Sequence, residues 1–391
     1  MSHENDYAPR LVPIHHSGRT PQEDAVVELL REQPRTRVDI AELLETSRTA
    51  LARVLAPLLD TGVVLSRSIE TRGRGRPTEM LSLGTETICG IGIDINRQCA
   101  TMLAVNALDE DLTRLVIPAS GDWRTDLETL VKKFVRFNLK RYAQAPHISM
   151  GIGLPHPFGS TRVPKSAHDD IIEYVREFMG IYFPGTRPFV DNTVRMAAVA
   201  EAQFVQNGAM DNVLYIRIAD GIMGAATING YFALGSAGHA GEVGHVTVPG
   251  AQGACHCGKI GCLETVATAP KLLALSGQGK LLDLANAWEH HDPAATHAIV
   301  QAADATAHIC AQAIFFLNPE SIILSGSVVE SLPAFLPLLQ NSIQNLLIKG
   351  INANTRITKA QASPEDCARG AIIAARQWDY AKAGPKAGPA S

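Results

Sequence analysis

The sequence predicts an α/β chain: two lobes of alternating strands and helices, preceded by a winged helix-turn-helix domain. Three observations carry this. Apolar residues recur at helical spacing in three short segments before residue 62, and a basic, glycine-broken stretch follows them. From residue 85 onward, short apolar strands alternate with helices in two halves. In the second half, residues 239–265 hold His245, Cys255, Cys257 and Cys262 at the spacing H-x9-C-x-C-x4-C, the donor set of a closed tetrahedral zinc site.

The totals agree. A chain of 391 residues exceeds one typical domain. Apolar content of 46% with 19% charged residues describes a well-stocked core. The formal charge of −4 provides no global basic field, so any nucleic-acid partner must meet a local patch. No apolar run reaches the roughly 18 residues of a membrane helix, and the polar first residues do not form a secretory signal. Seven cysteines, odd in number and clustered, fit a reducing cytoplasm better than a disulfide framework.

Residues 1–18 are polar and expected to be a disordered arm, and residues 19–84 the winged domain. Ala25, Val26, Leu29 and Leu30 form one stripe of a first helix that ends near Pro34. Ile40, Leu43 and Leu44 are expected to face inward from a second. Ser47 is a good N-cap for a third, in which Leu51, Val54, Leu55, Leu58 and Leu59 share a face. Pro57 predicts a bend there, and Gly62 a stop. Ser47, Arg48, Thr49 and Arg53 then lie at the exposed start of a recognition helix suited to the major groove. A β-ribbon follows, with Arg72, Arg74 and Arg76 in its glycine-rich tip, suited to phosphates or a narrow minor groove. Residues 67–77 hold four arginines against one glutamate, the densest positive patch in the chain, and double-stranded DNA is the expected partner.

Residues 85–205 are read as the first lobe. Strands are expected at 88–94, 101–106, 147–152 and around Val190, with a helix over 127–142 and an alanine-rich one after Asp191. Residues 206–378 are read as the second lobe, with strands at 213–218, 225–228 and 321–324 and a helical region over 269–317. Residues 379–391, ending in KAGPKAGPAS, are expected to be a disordered tail.

The Gly153-Leu154-Pro155 turn, the AGEVGH segment ending at His245, the CHCGKIGCLET segment and the LNPESIILSGS strand together resemble the bacterial ROK family (repressors, open reading frames, kinases). The Cys-x-Cys-Gly-x-x-Gly-Cys-x-Glu element is intact from Cys255 to Glu264. The resemblance runs from about residue 21 to residue 376. With a winged domain in front, it points to the sugar-responsive repressor branch. It implies an actin-like ATPase fold with a sugar site between the lobes. Carried onto this sequence, it implies that Asn192, Glu242, His245 and Glu264 contact sugar hydroxyls. His245 then has two duties, zinc through one ring nitrogen and a hydroxyl through the other. His256 is expected to point away from the ion.

Kinase chemistry in this family needs a carboxylate base and glycine turns for phosphate. Thr193 stands where the base belongs, and a threonine hydroxyl is no base near neutral pH. The first phosphate turn reads Asp94-Ile95-Asn96-Arg97-Gln98, without its glycines. Arg195, in place of a small residue, is expected to add charge near the cleft. No catalytic residue is therefore assigned. The sequence reading is a cytoplasmic DNA-binding regulator, a homodimer or homotetramer, with structural zinc and a carbohydrate effector. A sugar kinase with a DNA-binding appendage, or a regulator answering to a protein partner, are the alternatives.

Overall fold

The computed structural model describes residues 19–69, 78–142, 148–155, 165–201, 211–233, 235, 238–348, 355–363 and 366–383. The expected N-terminal arm and residues 384–391 of the expected tail lie outside these residues, as do Arg72, Arg74 and Arg76.

The N-terminal domain is three helices closed by a three-stranded antiparallel sheet. Helix Pro21–Glu32 starts from Thr20, whose hydroxyl accepts the Glu23 N–H while the Glu23 carboxylate accepts the Thr20 N–H, a reciprocal cap. Helix Arg37–Leu43 is capped the same way by Thr36 and Asp39. In helix Arg48–Asp60, the Ser47 Oγ accepts the Ala50 N–H at 3.1 Å, as its N-cap role requires. The helix runs on through Pro57, and Gly62 follows in the left-handed region at φ 72°. Strand Thr78–Leu83 lies between Val64–Ile69 and the short Arg35–Thr36. Arg37 Nε meets Glu79 Oε2 at 2.5 Å, tying the second helix to the ribbon.

Two inward assignments differ from the sequence reading. Val27, not Ala25 or Leu29, joins Val26 and Leu30 as a fully buried residue of the first helix. Leu43 is 52% exposed, and Ala41 takes its place beside Ile40 in the core. A seven-residue helix covers barely two turns, so few of its side chains can share one inward face.

The remaining chain contains two five-stranded sheets of one design. In the first, the strands in chain order are Gly90–Ile95, Cys99–Val105, Asp111–Pro118, Ser149–Leu154 and Phe189–Asn192. In the second they are Val213–Ile218, Ile222–Ile228, Tyr231–Phe232, Ser321–Ser325 and Arg356–Lys359. Counted this way, both sheets have the order 3-2-1-4-5, with antiparallel pairing among the first three and parallel pairing among the rest. The region expected to be helical over 269–317 resolves into Ala269–Ser276, Leu281–Glu289 and Pro293–Leu317; Gly277, at φ 69°, ends the first. Helix Pro293–Leu317 has the length and apolarity of a membrane span, yet twelve of its residues are buried, most of them in the second core, which marks it as a core helix.

Domain boundaries need correction at the C-terminus. The sequence reading ends the second lobe at residue 378 and begins a disordered tail at 379. Helix Cys367–Ala383 instead packs on the first sheet and on helix Thr193–Glu201. Its alanines and Ile372 allow that close approach, and it remains helical past 379 because no glycine or proline intervenes before Gly384. Two compact units result: the described residues from 19 to 201 with 366–383, and those from 211 to 363. The N-terminal domain shares one apolar cluster with Cys89 and Ala107, so residue 84 is no gap between separate bodies.

The C-terminal helix sits unusually close to its sheet. A Cβ on Gly92 or Gly151 would come within 1.7 Å and 1.9 Å of the Ala368 and Ala371 carbonyl oxygens. Only glycine on the two neighbouring strands permits this contact.

Candidate metal centre and ligand wall

The cysteine stretch forms a compact knuckle. Cys255 N–H donates to the Lys259 carbonyl at 2.8 Å and Gly258 N–H to the Cys255 carbonyl at 2.9 Å. Gly258 and Gly261 supply φ values of 85° and 79° for the reversals. The bridge Thr247 to Cys262 joins the knuckle to the strand-like segment after His245.

The four expected metal ligands converge. Donor atoms of His245, Cys255, Cys257 and Cys262 all lie within 4.8 Å of one another. Cys255 Sγ is 3.6 Å from His245 Nδ1, and Cys257 Sγ is 3.5 Å from Cys262 Sγ. Bonds of about 2.3 Å to sulfur and about 2.0 Å to nitrogen set tetrahedral donors roughly 3.5–3.8 Å apart, so these separations suit zinc. Burial, with the Cys257 and Cys255 thiols alongside, pushes the Cys262 thiol up to about 12. Thiols crowded in this way ionise together only around a cation.

Two carboxylates flank the imidazole, Glu242 at the nitrogen remote from the cysteines and Glu264 at the nitrogen that faces Cys255. Glu242, His245 and Glu264 come together, as the resemblance implies. His245 Nε2 is 3.8 Å from Glu242 Oε2, and Nδ1 is 3.8 Å from Glu264 Oε2. Glu264 is anchored through Oε1, which accepts the Ile222 N–H at 2.8 Å. The single 3-10 turn Val243–His245 fits because Gly244 has no side chain: a Cβ there would meet the Ile222 carbonyl at 2.2 Å. Gly241, at φ 103°, packs as tightly against the Gly224 carbonyl.

His256 departs from expectation. It is 74% exposed, but its Nδ1 turns inward to 3.5 Å from Glu264 Oε2, and its ring lies edge-on to His245 at 5.2 Å. Sequence spacing cannot reveal this, since alternation between two ligands suggests only an outward side chain.

Asn192 belongs to the other unit. It is 4% exposed and caps helix Thr193–Glu201, its Oδ1 accepting the Val194 N–H at 2.7 Å. Around it, the residues that the resemblance sets at the base and first phosphate turn of a kinase are engaged with one another. Thr193 donates its hydroxyl to Asp94 Oδ1, and Asn96 Nδ2 donates to Asp94 Oδ2 at 3.1 Å. The Asn96 Oδ1 accepts the Gln98 and Cys99 N–H groups at 2.9 Å and 3.0 Å, so these donors of the turn face a side chain of the chain itself. Asp191, the other carboxylate near the base position, pairs with Arg195 at 2.8 Å. Arg195 is 4% exposed, which corrects its placement as an added charge near a cleft.

On the N-terminal domain, Ser47, Arg48, Thr49 and Arg53 are all exposed at one end of helix Arg48–Asp60.

A model of the ROK family matches residues 91–378. The chain belongs to the ROK family. Across 348 residues it is 23% identical to the DNA-binding transcriptional dual regulator NagC of Escherichia coli (strain K12), covering 84% of this chain and 85% of that one. A glucokinase of Halalkalibacterium halodurans is 35% identical over 162 residues, 36% of this chain and 49% of its own. Among solved structures, a ROK family transcriptional regulator described as a homolog of the Escherichia coli MLC protein superposes with a TM-score of 0.66. The identity is 20%, with 93% of this chain and 97% of that chain covered, a likeness of fold that extends over the N-terminal domain. The duplicated sheet order is the α/β actin-like architecture of this ROK member.

Proposed function

We propose that this ROK protein is a transcriptional regulator, a repressor, that binds DNA through residues 19–84 and answers to a small carbohydrate without phosphorylating it. The convergence of Glu242, His245 and Glu264 beside a donor set of one histidine and three cysteines carries this reading. Two carboxylates and an imidazole suit paired hydroxyls. The 3.8 Å gap between His245 Nε2 and Glu242 Oε2 is too long for a direct hydrogen bond between them. Asn192, on the first unit, is the further residue that the family resemblance assigns to a sugar. Zinc on His245, Cys255, Cys257 and Cys262 supplies structure: it fixes the imidazole tautomer and the loop carrying Glu264. The shared length with NagC and with the solved regulator supports regulation over catalysis.

DNA reading is assigned to the three-helix domain, a winged helix-turn-helix whose recognition helix presents Ser47, Arg48, Thr49 and Arg53 and whose wing carries Arg72, Arg74 and Arg76. A homodimer or homotetramer in the cytoplasm then places two such domains on a palindromic operator. Replacing Arg48 and Arg53 together with alanine is expected to weaken duplex binding and reduce its logarithmic salt slope by about one for each lost phosphate contact. Fluorescence anisotropy across a salt series reads both, and an unchanged slope would place the DNA contact elsewhere.

The effector reading is tested by thermal shift with N-acetylglucosamine, glucose and xylose, with and without a chelator. Ligand at about 100 times its Kd raises stability by about 2.7 kcal/mol. That shift is expected for one sugar class and is lost in Glu264→Gln. No shift with any of the three sinks the carbohydrate reading. The similarity to a glucokinase favours a second reading, a kinase; sugar-dependent ADP release by the wild-type protein would establish it instead.

A further inference from the structure

The N-terminal domain is fixed to the α/β part of its own unit by a cluster of charges in which Arg19 and Arg376 are buried and Asp109 is half-buried. Arg19, 7% exposed, lies just before the cap of helix Pro21–Glu32. Its Nη2 donates to the Ala107 carbonyl at 3.0 Å, and its Nη1 lies 3.1 Å from Asp109 Oδ2 and 3.7 Å from Asp24 Oδ1. Asp109 occupies the reversal between strands Cys99–Val105 and Asp111–Pro118 in the left-handed region, at φ 62°. Its second oxygen accepts Arg376 Nη1 at 2.6 Å, and its carbonyl accepts Arg369 Nη1 at 2.8 Å. Arg369 also pairs with Asp111. Burial alone would raise the Asp109 carboxyl, but the Arg376 and Arg19 guanidinium groups outweigh it and hold it below its ordinary value.

Arg369 and Arg376 stand two turns apart on helix Cys367–Ala383. The same helix touches Thr193–Glu201 at backbone distance: a Cβ on Gly370 would come within 2.0 Å of the Met196 carbonyl and 2.8 Å of the Ala200 nitrogen. Helix Thr193–Glu201 begins directly after Asn192. With Gly92 and Gly151 gripping its other side, the C-terminal helix has little freedom to absorb a displacement locally.

We propose that Asp109 is a positioning residue that joins the C-terminal helix to the N-terminal domain, so that a shift of helix Thr193–Glu201 reaches helix Pro21–Glu32 through Gly370, Arg376, Asp109 and Arg19. Paired charges suit this duty better than an apolar seam. They are directional, and losing Asp109 leaves the buried Arg19 and Arg376 guanidinium groups short of their countercharge. The description of the N-terminal domain as DNA-reading rests on the function proposed above; the mechanical link does not.

The test uses hydrogen exchange of the full-length protein, without sugar or DNA. Asp109→Asn removes the charge while keeping a residue that tolerates the left-handed conformation. Gly370→Ala perturbs the far end of the link. In the wild-type background, Gly370→Ala is expected to speed exchange in residues 21–32 about five-fold, equivalent to about 1 kcal/mol of coupling. In the Asp109→Asn background it should add nothing there. If Gly370→Ala does not fold, Ile372→Val serves, since Ile372 packs with Leu103, Val105 and Ala368 under the same helix. An unchanged residue 21–32 segment in the wild-type background overturns the link. So does an equal response in both backgrounds, which would mean that the perturbation travels by another route. A missing sugar response would sink the functional proposal and leave this result standing.

Discussion

Cys257→Ser is expected to abolish stoichiometric zinc and to lower the Tm of the unit that carries the knuckle. Metal ligation in small zinc domains is worth on the order of 10 kcal/mol. Here the knuckle borders a large apolar core through Leu263 and Val266, so part of the fold survives and a loss of a few kcal/mol is expected. The consequence reaches the ligand wall. His245 would lose the ion that fixes its tautomer, and the segment carrying Glu264 would lose its clamp. Sugar response should therefore fall along with metal content, although Cys257 itself has no proposed contact with the ligand. Zinc measured by emission spectrometry, together with a melting curve, decides this. Wild-type zinc content and Tm in the variant would remove the metal site from the account.

Thr193→Asp supplies the carboxylate that the resemblance to ROK kinases places at this position, yet it is expected to yield no sugar-dependent ADP release. The reason lies in the surroundings. Asp94 is fully buried and already accepts the Thr193 hydroxyl, so the substitution sets a second carboxylate against it. Two carboxyl groups at hydrogen-bond distance in a buried site cannot both ionise, and one is held protonated. The Gln98 and Cys99 N–H groups also remain bonded to Asn96. The variant should lose about 3 kcal/mol at pH 8. Its folded-state carboxyl is raised, so the loss should shrink as the pH falls and the shared proton becomes free to bind. Denaturant unfolding at pH 8 and pH 5 measures both claims, and turnover in a coupled assay would overturn the first.

What can be read from the sequence is mostly local. His245 and the three cysteines announce themselves because their spacing within one loop is the geometry. Ser47 likewise signals a cap by its position before an apolar stripe. Contacts across long separations are illegible: Thr193 meets Asp94 over 99 residues, and Arg376 meets Asp109 over 267. Arg195 reads as an added cleft charge because its partner Asp191, four residues back at the end of the preceding strand, looks only like a misaligned base. Strand Asp111–Pro118 gives no sequence signal because its side chains are exposed or half-buried and include Asp111 and Arg114, so no clean alternation marks it. Leu43 misleads for the opposite reason: an apolar residue in a short helix suggests an inward side chain, when the inward face of this helix is formed by Ile40 and Ala41. His256 turns inward against alternation, a rule for strands that a glycine-rich knuckle does not obey.

The return of the last described helix to the first sheet has a consequence for biosynthesis. Arg369 and Arg376 leave the ribosome after every other described segment up to residue 363, so the charged clamp on Arg19 and Asp109 cannot close until synthesis has passed them. Gly92 and Gly151 likewise wait for a partner that arrives late. The first unit is built from an early and a late segment of the polypeptide, and its completion waits for the second unit to be made. A message truncated before residue 367 would leave the N-terminal domain held only by its apolar cluster with Cys89 and Ala107 and by Arg19, without the two arginines of the last helix.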